Sequence, residues 1–260
     1  MPLSYSQLRL YRSCPRQYEY ACIKKLAKTV SPGESFGSSV HNTFSKWGKL
    51  EIDHQGEVRH DQQTLFEEPK TSNIEHLNIE HLTNLWHQSF IVEGYDTRLE
   101  ADFARQRGEQ LMQHYFEWWQ QVSRHVVGVE QSFSLTINDE KLSGRFDRLE
   151  QMDDGIHVID YKTTAPQDQD TVDADLQLSI YALAVETCLK QPCTQLTLLF
   201  LNEEGVIERT TQRTAGQLDD AKKLIGSLHS EIDLGNFHPT PSKEVCRRCP
   251  YKGVCDVAAV

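Results

Sequence analysis

Between Val126 and Thr164 the chain reads as three consecutive β-strands, and this block limits the fold more than any other feature. The segments VVGVEQSFSLTI (126–137), KLSGRFDRLEQM (141–152) and IHVIDYKTT (156–164) alternate apolar and polar residues and favour β-branched and aromatic side chains. Asp154-Gly155 is a strong two-residue hairpin signal and Asn138-Asp139 a weaker one. With those turns, Asp147 lies opposite Lys162, Leu149 opposite Asp160, and Glu130 opposite Asp147. Side chains alternate faces along a strand, so Glu130, Asp147, Asp160 and Lys162 share one face. Diagonal neighbours stand roughly 7–8 Å apart, within reach of two carboxylates sharing a cation.

The rest of the chain is mostly helical in pattern. Residues 4–28 read as a helix with Ser4 or Ser6 as N-cap, and residues 36–50 as a second. Residues 51–75 are polar and irregular, and 76–91 helical. Residues 97–123 form a long amphipathic helix with Leu99, Phe103, Leu111, Tyr115, Phe116 and Trp119 on one face. After the strands come a helix at 173–190, a nearly continuous apolar strand at 194–202 read as central, a strand at 206–212, and a helix at 214–234. A chain of 260 residues fits one large domain or two small ones, and this order of helices and strands reads as α/β.

Three clustered carboxylates repel one another unless a cation sits between them. Oxygen ligands favour Mg²⁺ or Mn²⁺, which polarise phosphoryl oxygens and acidify water. Lys162 beside them suits orienting a water or steadying charge on phosphorus. The plain alternative is a solvated sheet face. Carboxylates directly opposite on adjacent strands weigh against it, because like charges there are unfavourable without a metal.

A second constellation lies in the tail, where CRRCPYKGVCD places Cys246, Cys249 and Cys255 at C-x2-C-x5-C. Three thiolates are one short of a tetrahedral site. The N-terminus lacks the apolar core of a signal peptide, which points to the cytoplasm, where seven cysteines read as thiolates rather than disulfides. No run of eighteen apolar residues predicts a membrane span. The net charge of −11 excludes a purely electrostatic nucleic-acid binder. Both ends are nevertheless basic, through Arg9, Arg12, Arg16, Lys24, Lys25 and Lys28 and through Lys243, Arg247, Arg248 and Lys252. No G-x-x-x-x-G-K-[ST] loop occurs, so any helicase is a separate partner.

The run G-R-F-D (144–147) followed by V-I-D-Y-K-T (158–163) resembles the PD-(D/E)XK nuclease superfamily. DLQLSIYAL carries Gln177 and Tyr181 like the Q-x-x-x-Y element of its RecB-like branch, and FGSSVHNTF carries His41 like that branch's helix histidine. The opening LSYSQLRLYRSCPRQYEY is similar to the start of AddB, RecB-like and CRISPR-associated adaptation nucleases. This resemblance implies a single α/β domain with a restriction-endonuclease-like core, a mixed central sheet flanked by helices, with 126–212 as the catalytic sheet and its helix and 51–125 as a helical insertion. It implies a 4Fe–4S cluster on Cys14, Cys246, Cys249 and Cys255, clamping the two termini, with zinc on the same thiolates as the alternative. It also implies Mg²⁺ or Mn²⁺ on Asp147, Asp160 and His41, with Glu130 and the Tyr161 carbonyl as further ligands. Lys162, Gln177 and Tyr181 complete the catalytic set, and DNA with single-stranded ends is the expected substrate. Without the resemblance, His41 reads as a structural histidine, and Gln177 and Tyr181 as helix surface. The rival functions are a zinc-binding interaction module and a non-catalytic DNA-end-binding subunit. Trp118 and Trp119 read as core, and Cys22, Cys188 and Cys193 as core or surface thiols.

Overall fold

The computed structural model describes residues 2–61 and 77–259. Strand β1 (Leu3–Ser4) leads into helix α1 (Tyr5–Ser13), whose N-cap Ser4 forms a capping box with Gln7. The helix expected over 4–28 breaks at Cys14, which is extended at φ −161° and ψ 112°. Pro15 is the cause: it disfavours helical backbone in the residue before it but starts the next helix well. That helix, α2 (Pro15–Tyr18), runs into a wide turn over Glu19–Ile23. Cys14 is therefore presented from a kink.

Helix α3 (Pro32–Asp61) extends well past the expected end at residue 50. The buried Glu51 holds it there, accepting from the Arg148 guanidinium and the Trp119 indole. Residues 62–75 of the stretch expected to be irregular lie outside the described residues. Helices α4 (Ile79–Ser89) and α5 (Arg98–Trp119) pack on α3. Leu99 and Phe103, expected on the inner face of α5, are 65% and 63% exposed. The inner face instead carries Ala101 and Gly108, because the Trp86 ring of α4 lies flat against Gly108.

Strands β2 (Val126–Ile137), β3 (Glu140–Met152) and β4 (Gly155–Lys162) follow. Helices α6 (Gln169–Asp173) and α7 (Leu176–Ala184) lead to β5 (Cys193–Asn202), β6 (Gly205–Thr211), α8 (Ala215–Asp233) and α9 (Lys243–Arg248). The sheet is mixed and six-stranded, with β4 and β5 parallel and β5 between β4 and β6. One apolar layer joins it to α1, α7 and α8, and a second to α3, α4 and α5. The expected mixed central sheet flanked by helices is thus what the chain forms.

The β2–β3 turn is Asn138-Asp139 as expected, with φ of 51° and 67°. The β3–β4 turn is not Asp154-Gly155. Met152 pairs with Gly155 around Asp153-Asp154, and Arg148 with Ile159. This register brings Asp147 abreast of Asp160 rather than Lys162. The glycine serves a close approach instead of the turn: at φ +153° its Cβ would lie 2.4 Å from the Pro192 carbonyl oxygen.

Candidate active site

The site occupies a gap in the sheet. Strand β2 lines one edge of β3 along most of its length, while β4 and β1 share the other. Pairing with β4 ends at Arg148, and pairing with β1 covers only Leu142 and Ser143. Between them the β3 edge is open, and the Arg145 carbonyl accepts from the Tyr181 hydroxyl of α7 at 3.1 Å.

At this gap β2 and β3 both reverse their faces. Phe146 and Leu149 belong to the same apolar layer, while Arg148 between them turns to Glu51 of α3. On β2, Phe133 and Leu135 face that layer too, but Val129 packs on Gly48 of α3. Strict alternation forbids both patterns, and the break falls at Glu130, whose φ is +50°. The four charged residues therefore do not share one face. Asp147 meets α3, with its Oδ2 3.3 Å from His41 Nδ1 and accepting from the Tyr161 N–H at 3.0 Å. Asp160 and Lys162 turn to α7 on the other side.

On that side the contacts are dense. Gln177 Nε2 donates to Asp160 Oδ1 at 2.7 Å, and the Tyr181 hydroxyl shares its one proton between that oxygen at 2.9 Å and the Arg145 carbonyl. Lys162 Nζ donates to Gln177 Oε1 at 2.9 Å and sits 2.5 Å from Asp160 Oδ2. That last contact is a charge-assisted pair, so the Lys162 ammonium is the cation that meets the buried Oδ2. A buried carboxylate oxygen is costly without such a cation beside it.

Burial pushes the Asp160 carboxyl up, Lys162 pulls it down, and Asp147 raises it again, for a net rise. Burial disfavours charge on Lys162, but Asp160 outweighs it and keeps the ammonium protonated above the usual lysine range. Burial likewise opposes charge on His41, yet Asp147, Asp160 and Glu130 raise its pKa. Glu130 is raised by burial and by Asp147, against Arg145. Burial lifts the Tyr161 hydroxyl to about 12 and holds it against Tyr115, so only its backbone faces the gap.

The donor atoms of His41, Glu130 and Asp147 all lie within 4.8 Å of one another. A second such group among the described residues is Glu140, His229 and Asp233, where both His229 ring nitrogens are engaged by carboxylates. The gap also holds residues that sequence reasoning left without a role. Arg145 Nε lies 2.5 Å from Glu130 Oε2. Tyr5 of α1 is close enough for Asp175, Lys162 and Asp160 to shift its pKa, after burial raises it. Arg145 stands two residues before Asp147 in the quoted run, but nothing in the pattern gave it a partner.

At the other end of the molecule, Cys14, Cys246, Cys249 and Cys255 line one pocket with Pro239, Pro241 and Val245. Among the described residues they are not drawn into a group within 4.8 Å. Trp118 is core, and Trp119 packs against that core. Cys22 packs on the other apolar layer, Cys188 is exposed, and burial pushes the Cys193 thiol up to about 12.

The family model described as the PD-(D/E)XK nuclease superfamily matches residues 2–256. The chain is 28% identical over 127 residues to the CRISPR-associated exonuclease Cas4 of Francisella tularensis subsp. novicida, covering 48% of this chain and 62% of that protein. It is 24% identical over 192 residues to an ATP-dependent helicase/nuclease subunit of Oceanobacillus iheyensis, covering 69% of this chain and 14% of the relative. The match thus spans less than two thirds of either relative's length. A solved structure of a candidate exonuclease from Eubacterium rectale superposes with a TM-score of 0.52 at 13% identity, covering 96% of this chain and 87% of the other, a likeness of fold alone.

Proposed function

This chain belongs to the PD-(D/E)XK nuclease superfamily, and from that premise we propose that it is a single-domain, metal-dependent deoxyribonuclease that degrades DNA from single-stranded ends. The observation that carries the reading is the meeting of two half-sites at one gap. His41, Glu130 and Asp147 present donors within 4.8 Å, and beside them lies a buried Asp160 oxygen, 2.5 Å from the Lys162 ammonium. Carboxylate and imidazole donors around such an oxygen fit Mg²⁺ or Mn²⁺. Asp147, Asp160 and His41 would hold the ion, with Glu130 and the Tyr161 carbonyl completing the set. When bound, the ion supplies Lewis acidity to a phosphate oxygen.

The chain's own groups do the rest. Lys162 is a cation held between Asp160 and Gln177. A protonated ammonium donates; it orients the attacking water and steadies charge on phosphorus as the P–O bond to the leaving nucleotide breaks. Gln177 and Tyr181 fix the Asp160 carboxylate. The two named relatives, an exonuclease and a helicase/nuclease subunit, support action on DNA ends, with a helicase as the expected partner class.

The four-cysteine pocket is read as a 4Fe–4S site clamping the termini. The family resemblance supports iron, and zinc on the same four thiolates is the alternative metal. Iron and sulfide in near-equal amounts in anaerobically purified protein support this; a colourless protein with one zinc per chain overturns it.

The test of activity is cleavage of end-labelled single-stranded DNA and of covalently closed circles, in Mg²⁺, Mn²⁺ or EDTA. Metal-dependent loss of linear strands, absent in Lys162→Ala, is the expected result. Cutting of circles makes the protein an endonuclease, and DNA binding without cleavage makes it a non-catalytic end-binding protein.

A further inference from the structure

Among the described residues, Arg145 is the one cation in a salt bridge with Glu130, with its Nε 2.5 Å from Glu130 Oε2. The two partners are built differently. Glu130 is held at φ +50°, a conformation non-glycine residues rarely adopt, and its side chain is only 16% exposed. This conformation aims its carboxylate into the group with His41 and Asp147. Arg145 has a fixed backbone, since its carbonyl accepts from Tyr181, but its side chain is 62% exposed. It is a movable cation on a fixed stem. Exposed ion pairs are weak and readily displaced. A guanidinium freed at the mouth of the gap matches the fork of a phosphate.

Resting on the metal-dependent reading above, we infer that Arg145 is a metal-released phosphate clamp. It neutralises Glu130 while the acidic group lacks a divalent cation, and it turns to a backbone phosphate of the DNA once Glu130 engages the ion. Arg145 is thus a positioning residue that makes DNA binding conditional on metal loading.

Two binding measurements on the full chain test this without turnover. The first is Mn²⁺ affinity without DNA, by electron paramagnetic resonance. Arg145→Ala should bind Mn²⁺ about two- to five-fold more tightly, the range set by loss of a competing exposed ion pair. Lys49→Ala, which removes another cation near Glu130, should change the affinity less. The second is binding of an end-labelled single strand by Lys162→Ala protein in Mn²⁺ and in EDTA. Adding Arg145→Ala should weaken binding and reduce the salt slope by about 0.7 in Mn²⁺ only. Arg145→Lys should keep most of the slope. Equal Mn²⁺ affinity in wild type and Arg145→Ala, an equal gain in Lys49→Ala, or the same DNA defect in EDTA overturns the inference. Wild-type protein that takes up no Mn²⁺ overturns instead the metal-dependent reading beneath it, before Arg145 is altered.

Discussion

At the scale of single residues, Asp160 shows what the gap demands. It is 2% exposed, and burial alone would neutralise it. Lys162, Gln177 and Tyr181 converge on it, so its charge is kept by three neighbours acting together. Gln177 is the pivot, because it touches Lys162, Asp160 and Tyr181 at once. Hydrogen bonds to charged groups contribute about 1.5–3 kcal/mol each. Gln177→Ala should therefore lower kcat about ten- to a hundred-fold, with KM for DNA changed far less, as steady-state rates on a labelled strand would show. A rise in KM with unchanged kcat would move Gln177 from positioning Lys162 to binding substrate. The strand pattern singled out Glu130, Asp147, Asp160 and Lys162, whereas His41, Gln177 and Tyr181 came only with the family resemblance. It did not anticipate how, because a glutamate at φ +50° carries no composition signal, and Glu130 is where the alternation breaks.

At the scale of elements, the break is stabilised by the buried charge network on the opposite side of β3. Arg148 is fully buried and bonds Glu150 at 2.7 Å and Glu51 of α3 at 2.5 and 3.0 Å. It thereby ties α3, and with it His41, to the strand that bears Asp147. Removing one partner of such a network leaves buried charge uncompensated, at a cost of about 3–5 kcal/mol. Arg148→Met should lose that much stability by denaturant titration, whereas a surface substitution such as Lys223→Ala should lose almost none. Burial would raise Glu150, but His157, Arg148 and Arg124 hold it down to about 2 from an ordinary 4.5. A lowered folded-state pKa means this stability is fully present above pH about 4.5 and is lost as pH falls toward 2. The loss amounts to about 3 kcal/mol, and Glu150→Gln should flatten that part of the stability profile. None of this was legible in the sequence, where Glu51 and Glu150 look like surface acids. The strands were legible, since their period of two and the Asn138-Asp139 turn are local properties. The β3–β4 register slipped by two because Gly155 answers to Pro192, nearly forty residues away, and not to its own turn.

At the scale of the whole molecule, the question is what the four-cysteine site adds to ends that are already joined. The Tyr11 hydroxyl donates to the Asn236 carbonyl at 2.5 Å, Thr240 to Ser13 at 3.0 Å, and Tyr251 to Leu26 at 3.3 Å. Tyr18 stacks on Phe237, and Tyr20 meets Tyr251 edge-on. Tyr11 and Tyr18 reach the apolar layer under the sheet, whereas residues 239–259 bury few side chains and β4, β5 and α7 are buried along most of their length. A cross-link can stabilise in two ways. If it survives unfolding, it restrains a loop of more than two hundred residues and stabilises every element equally, by about 5 kcal/mol on a chain-entropy account. If it is lost with the local fold, it acts as a bound ligand and protects only the segments that touch it. A cluster of the proposed kind would draw its thiolates from a kink at Cys14 and a short tail helix at Cys246, which have few contacts to outlast it, and this favours the second. On the proposed iron–sulfur reading, Cys249→Ser should lose iron and visible colour, and hydrogen exchange should quicken in α1, α2 and residues 239–259 while β4 and β5 keep wild-type protection. The basic segments at the two ends would then lose their fixed spacing, and affinity for a single-stranded end should fall more than the cleavage rate of bound DNA. Uniform loss of protection through the sheet would show instead that the clamp holds the whole fold.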